Sequence, residues 1–418
     1  MLRSSFPRSR AWRSGFTLVE LMVAITGGLI VSIVVFELAK DASRFYKSET
    51  RTADATLAGM VGFERLQNDI ARASFMASPN VRRDPSICGN PVGDASWPTE
   101  LKHMAGLRIG SSPTNTMLKA NGLAPDSITL AGSFSSVEEF PIWGVTNSGS
   151  TYIVALQTKI GPLARMGYDA SKTQLQILSS VFGVGRALRI VDRSGKAQYG
   201  TISAVKASPP QVILSHKPTL RLRTTSSTIC GIRANETGYV NVVNFVKYEV
   251  KSLKGTAAYA PIYSDAGATP WDADRAELVR SEVDTSGQAI PNTDEVVAEY
   301  TVNLKFGLSV VSGTILNQTD PTLTTLVPGD TSNILKYAGD TIGITSQTYG
   351  PQRVRAVRVR LSVRSREADR SANITAGGAI APGLYRVGLG ANGTAPFARV
   401  RTLQADVSLP NQMGTLWN

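Results

Sequence analysis

The chain has 418 residues, of which 42% are hydrophobic and 18% charged, a composition that is typical of globular proteins and argues against global disorder. This length allows two or three domains. The formal net charge is +12, and four of the arginines precede Phe16. From residue 16 onward the chain has 40 Lys and Arg and 32 Asp and Glu, a surplus of +8. A surplus of this size favours solubility and does not by itself indicate a particular anionic partner.

The first predicted element is an apolar helix over residues 16–36, in which Glu20 is the only charged residue. A helix of this length spans roughly 31 Å, which matches the hydrocarbon core of a bilayer. The preceding arginines would stay on the cytoplasmic side, so the rest of the chain would be exported. A secretory signal would be cut after the apolar run, but Glu37 or Lys40 occupies the −3 position of the two candidate sites. We therefore expect the apolar segment to be retained.

Glu20 sets this helix apart from an ordinary membrane anchor. A lone carboxylate in a spanning helix costs several kcal/mol unless it is paired or neutralised. Near the membrane interface, protonation or the dipole at the start of its own helix could meet that need. A counter-charge from a neighbouring chain is the alternative, and it would also fix the register between packed helices.

The segment Gly15-Phe16-Thr17-Leu18-Val19-Glu20 resembles the class III signal of type IV prepilins and related pseudopilins, in which a basic leader ends in Gly, Phe follows, and Glu is the fifth mature residue. The resemblance implies a bacterial chain that a prepilin peptidase cuts between Gly15 and Phe16, with N-methylation of Phe16. It also implies that Glu20 pairs with the N-terminal amine of a neighbouring subunit. The implied partners are other major and minor pilins, the inner-membrane assembly platform and, before assembly, the membrane itself.

The helix is predicted to continue to about residue 73, because residues 37–73 contain no proline and an apolar stripe recurs every three or four positions. The stripe comprises Leu57, Met60, Phe63, Leu66, Ile70 and Ala73. Only the second half of this helix carries several charges, so only that half is expected to pack against a soluble head, as in pilins. The predicted organisation is a leader over 1–15, a long helix over 16–73 with 16–36 in the membrane, and a head over 74–418.

The head is predicted to be mainly β. Residues 74–126 are rich in Pro, Gly, Ser and Asn, which indicates loops around short elements. Alternating or β-branched runs then predict strands at 127–131, 151–157, 187–192, 199–205, 212–214, 239–250, 276–283, 296–311, 353–364 and 397–409. The predicted fold class is therefore α+β, with a long N-terminal helix on a mainly antiparallel head of one or two subdomains.

Three successive runs, at 243–250, 277–283 and 302–306, are similar to the strand series of PilW-type minor pilins. This resemblance implies a minor subunit of a type IV pilus that helps to assemble or prime the filament and thereby supports motility or cell adhesion. It would reside in the bacterial inner membrane with a periplasmic head, and then in the filament or its tip. The alternatives are a pseudopilin of a type II secretion or DNA-uptake system, and a pilus-associated adhesin or DNA-binding subunit.

The run over 353–364 is the most basic part of the head. Its arginines change from odd to even positions, so a β-bulge at 356–357 is predicted to keep them on one face. They are Arg353, Arg355, Arg358, Arg360 and Arg364. A solvated strand face explains this pattern, and a contact for DNA, another polyanion or an acidic neighbouring subunit would also fit.

Cys88 and Cys230 are the only cysteines, and both would face an oxidising compartment. They could form one disulfide or remain two buried thiols. The two histidines, His103 and His216, have no zinc-ligand spacing, and the GxGxxG match at 388–393 lacks the following helix that a dinucleotide site needs. We therefore expect no enzyme activity, metal or cofactor.

Overall fold

The structure is a computed structural model that describes residues 15–89, 91, 94–113, 116–167, 174–223, 230–233, 235–260, 275–312, 322–339, 349–375, 383–387 and 394–413. The chain divides into two units, Met1–Ala53 and Asp54–Asn418. The leader before residue 15 and the glycine-rich match at 388–393 lie outside the described residues.

The described part of the chain contains six α-helices and sixteen strands. The helices are α1 (Leu18–Ala71), α2 (Thr99–Lys102), α3 (Thr116–Ala120), α4 (Pro162–Arg165), α5 (Gln174–Val181) and α6 (Thr331–Ala338). The first eight strands are β1 (Leu107–Ser111), β2 (Asp126–Gly132), β3 (Phe140–Ser148), β4 (Thr151–Leu156), β5 (Ala187–Val191), β6 (Ala197–Lys206), β7 (Gln211–Ser215) and β8 (Gly238–Lys251). The remaining strands are β9 (Glu277–Val283), β10 (Glu295–Ala298), β11 (Thr301–Ser312), β12 (Thr322–Leu326), β13 (Val354–Arg364), β14 (Asp369–Thr375), β15 (Leu384–Arg386) and β16 (Thr394–Ser408).

Helix α1 confirms the predicted long helix, with an end two residues earlier than expected. In the second unit its residues Phe63, Leu66 and Ile70 are buried in the largest apolar core. Leu57 and Met60, which belong to the same predicted stripe, are exposed instead. The stripe therefore marks the packed face correctly only from Phe63 onward.

Six strands close into an antiparallel barrel in the order β3-β4-β7-β6-β5-β8, because β8 pairs with both β3 and β5. Strands β5, β6 and β7 form a meander and β8 returns beside β5, which is a Greek key. Alternate residues point inward along each strand, as period-two patterning requires, and they fill the interior with side chains such as Phe140, Tyr152, Ile190 and Val242. Helix α5 contributes Leu178 to the same core.

The barrel is an insertion between two neighbouring strands of a second, open sheet. That sheet has the order β1-β2-β8-β9-β10, and β8 belongs to both structures. The 14-residue length of β8 makes this possible: its first half closes the barrel and its second half pairs with β2 and β9. The chain leaves the open sheet at the end of β2 and re-enters it through β8.

A further antiparallel sheet has the order β12-β11-β13-β16-β14, with β15 also paired to β16. Its apolar face shares one core with the open sheet and with α1, since Phe306 of β11, Tyr248 of β8 and Leu66 of α1 belong to the same cluster. The second unit thus contains separate apolar cores for the barrel and for the sheets beside α1. The fold class is α+β with a largely antiparallel head, as predicted.

Candidate functional site

The residues at the start of α1 form a reciprocal capping arrangement. The Thr17 backbone N–H and its hydroxyl donate to Glu20 Oε2 at 3.0 and 2.9 Å, and the Glu20 N–H donates to Thr17 Oγ1 at 3.3 Å. This is the capping box expected of Thr-x-x-Glu at a helix N-terminus. Helix α1 therefore begins at Leu18 and leaves Gly15 and Phe16 in non-helical backbone.

The capping box adds a local role for Glu20 to the two considered from the sequence. A carboxylate in the first turn faces the positive end of the helix dipole and satisfies N–H groups that have no partner within the helix. The Gly15–Phe16 peptide bond precedes this first turn and lies in non-helical backbone.

The first part of α1 carries its apolar side chains outward. Leu18, Ile25, Ile33 and Phe36 are all more than half exposed. The polar side chains in this stretch bind their own helix: the Thr26 hydroxyl donates to the Met22 carbonyl at 3.0 Å. Among the described residues, α1 is the one helix long and apolar enough to cross a bilayer. Internal satisfaction of polar groups is what a lipid environment requires.

The other end of α1 is fixed by a buried group that the sequence did not reveal. Asp69 Oδ2 accepts hydrogen bonds from Arg280 Nε on β9 and from the Tyr248 hydroxyl on β8, both at 2.8 Å. The Asp69 and Arg280 side chains are 3% and 10% exposed. We call these three residues the Asp69 clamp. It joins the last turn of the helix to two adjacent strands through a desolvated ion pair.

The available sequence signal for the clamp was the position of Asp69 three residues after Leu66 and one before Ile70, on the buried side of the stripe. A carboxylate there requires a donor inside the head. Its partners come from strands about 180 and 210 residues later, so no local pattern could name them.

The five arginines of the predicted basic strand do not share one exposed face, which corrects the expectation of a continuous contact stripe. A β-bulge does occur, but it falls on Arg355, since Val354 pairs with Val310 and Ala356 with Ser309. Arg355 is partly buried and donates to the Gln352 carbonyl at 2.7 Å.

The other four arginines have separate environments. Arg353 and Arg364 are 1% and 3% exposed, and the Arg364 guanidinium lies 4.8 Å from the centre of the Tyr300 ring. Arg358 forms a bidentate ion pair with Asp406 on β16, at 2.7 and 2.8 Å. The Asp406 carboxylate balances the charge of the guanidinium and raises the pKa of Arg358. Arg360 remains as the exposed member. The alternation of the sequence could not show this, because burial of the two ends depends on neighbouring strands and loops.

Cys88 and Cys230 form a disulfide. The Cys88 N–H donates to the Ala197 carbonyl of β6 at 2.8 Å, so the segment that contains Cys88 is hydrogen-bonded to the barrel. Cys230 lies in the connection between β7 and β8. The bond therefore attaches the inserted barrel to the loop region that follows α1.

The two histidines are engaged in local contacts. His103 Nδ1 lies 2.8 Å from the Thr99 carbonyl, and the His216 ring stacks on Tyr152. Within the described ranges, no group of three or more His, Cys, Asp or Glu side chains is arranged to hold a metal ion.

No protein-family model, no curated protein and no solved structure matches this chain.

Proposed function

We propose that this chain is a type IV pilin-like minor subunit, most similar to the PilW type, that enters a filament through α1 after cleavage between Gly15 and Phe16. The observation that carries the proposal is the placement of the Gly-Phe-Thr-Leu-Val-Glu motif. The motif ends in the first turn of an exposed apolar helix, and Glu20 is the only charge over residues 16–36.

Cleavage would create an amine at Phe16, four residues before Glu20. In the membrane, the Thr17 donors stabilise the Glu20 carboxylate locally and reduce the cost of burying it. In a filament, the amine of a neighbouring subunit would supply the missing positive charge. A pair of this kind is favourable only when both groups meet, so it would specify the axial register between packed helices.

The head supports the proposal in two ways. Residues 63–71 of α1 pack on antiparallel sheets and are held there by the Asp69 clamp, the arrangement expected of a pilin-like fold. The disulfide fits a head in an oxidising compartment such as the periplasm. The subunit would thus begin as a single-pass inner-membrane protein, interact with prepilin peptidase and the assembly platform, and end in the filament or at its tip.

Mass spectrometry of the mature N-terminus tests the processing step. We expect a chain that begins at methylated Phe16. A mature chain that begins near residue 40 would refute the proposal, because the apolar helix would then be a removed signal.

Glu20→Ala tests the assembly step, with Glu37→Ala as the matched control on the same helix beyond the apolar segment. We expect Glu20→Ala to be cleaved normally but to be depleted from sheared filaments. Glu37 is exposed and lies 3.4 Å from Lys40, so its loss should leave incorporation unchanged. Equal incorporation of both variants would contradict the pairing role.

A further inference from the structure

The inserted barrel carries most of the net positive charge of the chain. Residues 133–237 contain twelve Lys and Arg against five Asp and Glu, a surplus of seven. Four of the five acids have partners within the barrel region: Glu138 with Arg165, Glu139 with Arg189, Glu236 with Arg223, and Asp192 with the N–H groups of its own turn. The fifth, Asp169, lies outside the described residues. The surplus is therefore left to cations such as Lys206, Lys217 and Arg221, which are exposed.

Three adjacent strands of the barrel, β3, β8 and β5, present an aromatic and basic outer face. The register pairs Tyr239 with Pro141 on one side and with Val191 on the other. Two residues further along, Trp143, Thr237 and Arg193 occupy the next row across the same three chain segments. The contact between Arg193 and Thr237 agrees with this row, since Arg193 Nε and Nη2 donate to Thr237 Oγ1 at 3.1 and 2.8 Å.

Both aromatic side chains of this face are exposed. Trp143 is 58% exposed and Tyr239 53%, although both residue types favour burial of their rings. They are diagonal neighbours on β3 and β8, a relation that places Cα atoms about 7–8 Å apart. Two exposed rings on adjacent strands mark a surface that is suited to binding a partner. We call Trp143, Tyr239 and Arg193 the barrel platform.

The backbone beside the barrel platform makes close contacts on two sides. Asn241, the next outward residue of β8, is fully buried and donates to the Met76 carbonyl at 2.9 Å. Beside Trp143, Gly144 has φ of +146° and approaches the backbone of residues 233 and 235 so closely that a Cβ would lie 2.6 Å from Asn235 N. Backbone that is already fixed by such contacts loses little conformational entropy when a ligand binds.

The chemistry of the barrel platform selects a polyanion with planar groups. Arg193 is exposed and held by Thr237, and within the described parts of the chain no carboxylate lies at ion-pair distance from it. Its guanidinium can therefore bind a phosphate, and the two rings can stack on unpaired bases. A duplex keeps its bases inside the stack, and a neutral glycan would offer no negative charge to Arg193. We propose that the barrel platform binds single-stranded nucleic acid.

This inference does not rest on the pilin assignment, because the barrel platform would bind its ligand whichever machine contains the chain. The test uses the full-length protein in non-ionic detergent and a fluorescein-labelled oligothymidylate, with binding followed by fluorescence anisotropy at 50 and 200 mM NaCl. We expect Trp143→Ala and Tyr239→Ala each to weaken binding by about 5- to 150-fold, the range measured for loss of one stacked base. Trp143→Phe keeps an aromatic face and should retain most of the affinity.

Arg193→Gln tests the phosphate contact separately. Removing one cation should reduce the slope of log affinity against log salt by about 0.7. Arg360→Gln is the matched control, because Arg360 is an exposed arginine on another sheet and its loss should change neither affinity nor slope. Unchanged melting temperatures would show that the four platform variants remain folded.

Two results would overturn the proposal. One is that the wild-type chain does not bind the oligothymidylate, or binds it no better than the Trp143→Ala variant. The other is that an acidic polysaccharide, added at equal charge concentration, displaces the oligonucleotide equally well from the wild type and from the Trp143→Ala variant. Binding would then depend on charge alone and not on stacking. Neither result would change the mature N-terminus, so failure here is distinguishable from failure of the proposed function.

Discussion

Replacing Asp69 by alanine should destabilise the head strongly, because it removes the acceptor of two buried donors at once. The Arg280 side chain is 10% exposed and would keep its charge, and Glu295, at 3.8 Å, is the carboxylate that remains at ion-pair distance among the described residues. The Tyr248 hydroxyl is buried too and would lose its acceptor. Removal of one partner from a buried ion pair typically costs about 3–5 kcal/mol.

This free energy converts into a shift of the melting temperature. The unit Asp54–Asn418 has 365 residues, and an unfolding entropy of about 2.1 cal/mol/K per residue gives roughly 0.8 kcal/mol/K. A loss of about 3–5 kcal/mol then lowers the melting temperature by about 4–6 °C. Differential scanning calorimetry of the detergent-solubilised chain resolves a shift of this size.

Glu295→Gln is the matched control. Glu295 pairs with Arg65 of α1 and with Arg280, each at 3.8 Å, but the Glu295 and Arg65 side chains are about half exposed, at 50% and 47%. Exposed pairs contribute about 0–1 kcal/mol, so the expected shift is about 1 °C or less. Equal shifts for the two variants, or a shift below 1 °C for Asp69→Ala, would refute the view that the clamp fixes the helix to the head.

Three further predictions concern the same unit. Gly62→Ala should lower the melting temperature despite the better helix propensity of alanine, because its Cβ would lie 2.3 Å from the Val297 carbonyl oxygen, and overpacking costs about 1–3 kcal/mol. Replacing both Cys88 and Cys230 by serine should destabilise by about 4–5 kcal/mol in the chain-entropy model for a sequence separation of 142, which thermal unfolding would measure. Glu249→Gln should be less stable than the wild type at pH 7, and the difference in melting temperature should vanish in acid.

The sign of the last prediction follows from the lysines around the carboxylate. Burial alone would raise the pKa of Glu249, but Lys247 at 2.7 Å and Lys251 at 3.1 Å outweigh it, and the pKa lies below its ordinary value. A lowered pKa contributes stability above pH 4.5 that is lost as the pH falls through the folded-state value. A difference that grows in acid would contradict the assignment.

Controls for the other two variants come from the same chain. The three atoms nearest to a Cβ at Gly59 of α1 belong to the Val363 and Leu403 side chains, at 3.0 Å or more, so the effect of Gly59→Ala should be smaller than that of Gly62→Ala. A reductant should lower the melting temperature of the wild type and leave the double serine variant unchanged. Destabilisation of that variant by the reductant would show that the effect does not come from the disulfide.

The strand predictions succeeded where the alternating pattern is continuous within one short run of residues. All ten predicted runs contain strands, but the run at 296–311 is two, β10 and β11, separated by a turn in which Tyr300 adopts φ of +50°. Strands β1, β3, β12, β14 and β15 were not predicted. Strand β3 contains Pro141, Gly144 and an exposed Trp143, a composition that hides its alternation.

The sequence by itself determined the apolar helix, the Gly-Phe-Thr-Leu-Val-Glu motif at its start and the positions of most strands. These features depend on residues within a few positions of one another, through helix capping, hydrophobic periodicity and bilayer thickness. Only the tertiary structure decided that β8 closes a barrel, that the basic strand divides between core and surface, and which donors meet Asp69. Each of these outcomes rests on contacts between residues tens to hundreds of positions apart, and the burial that such contacts create cannot be read from local pattern.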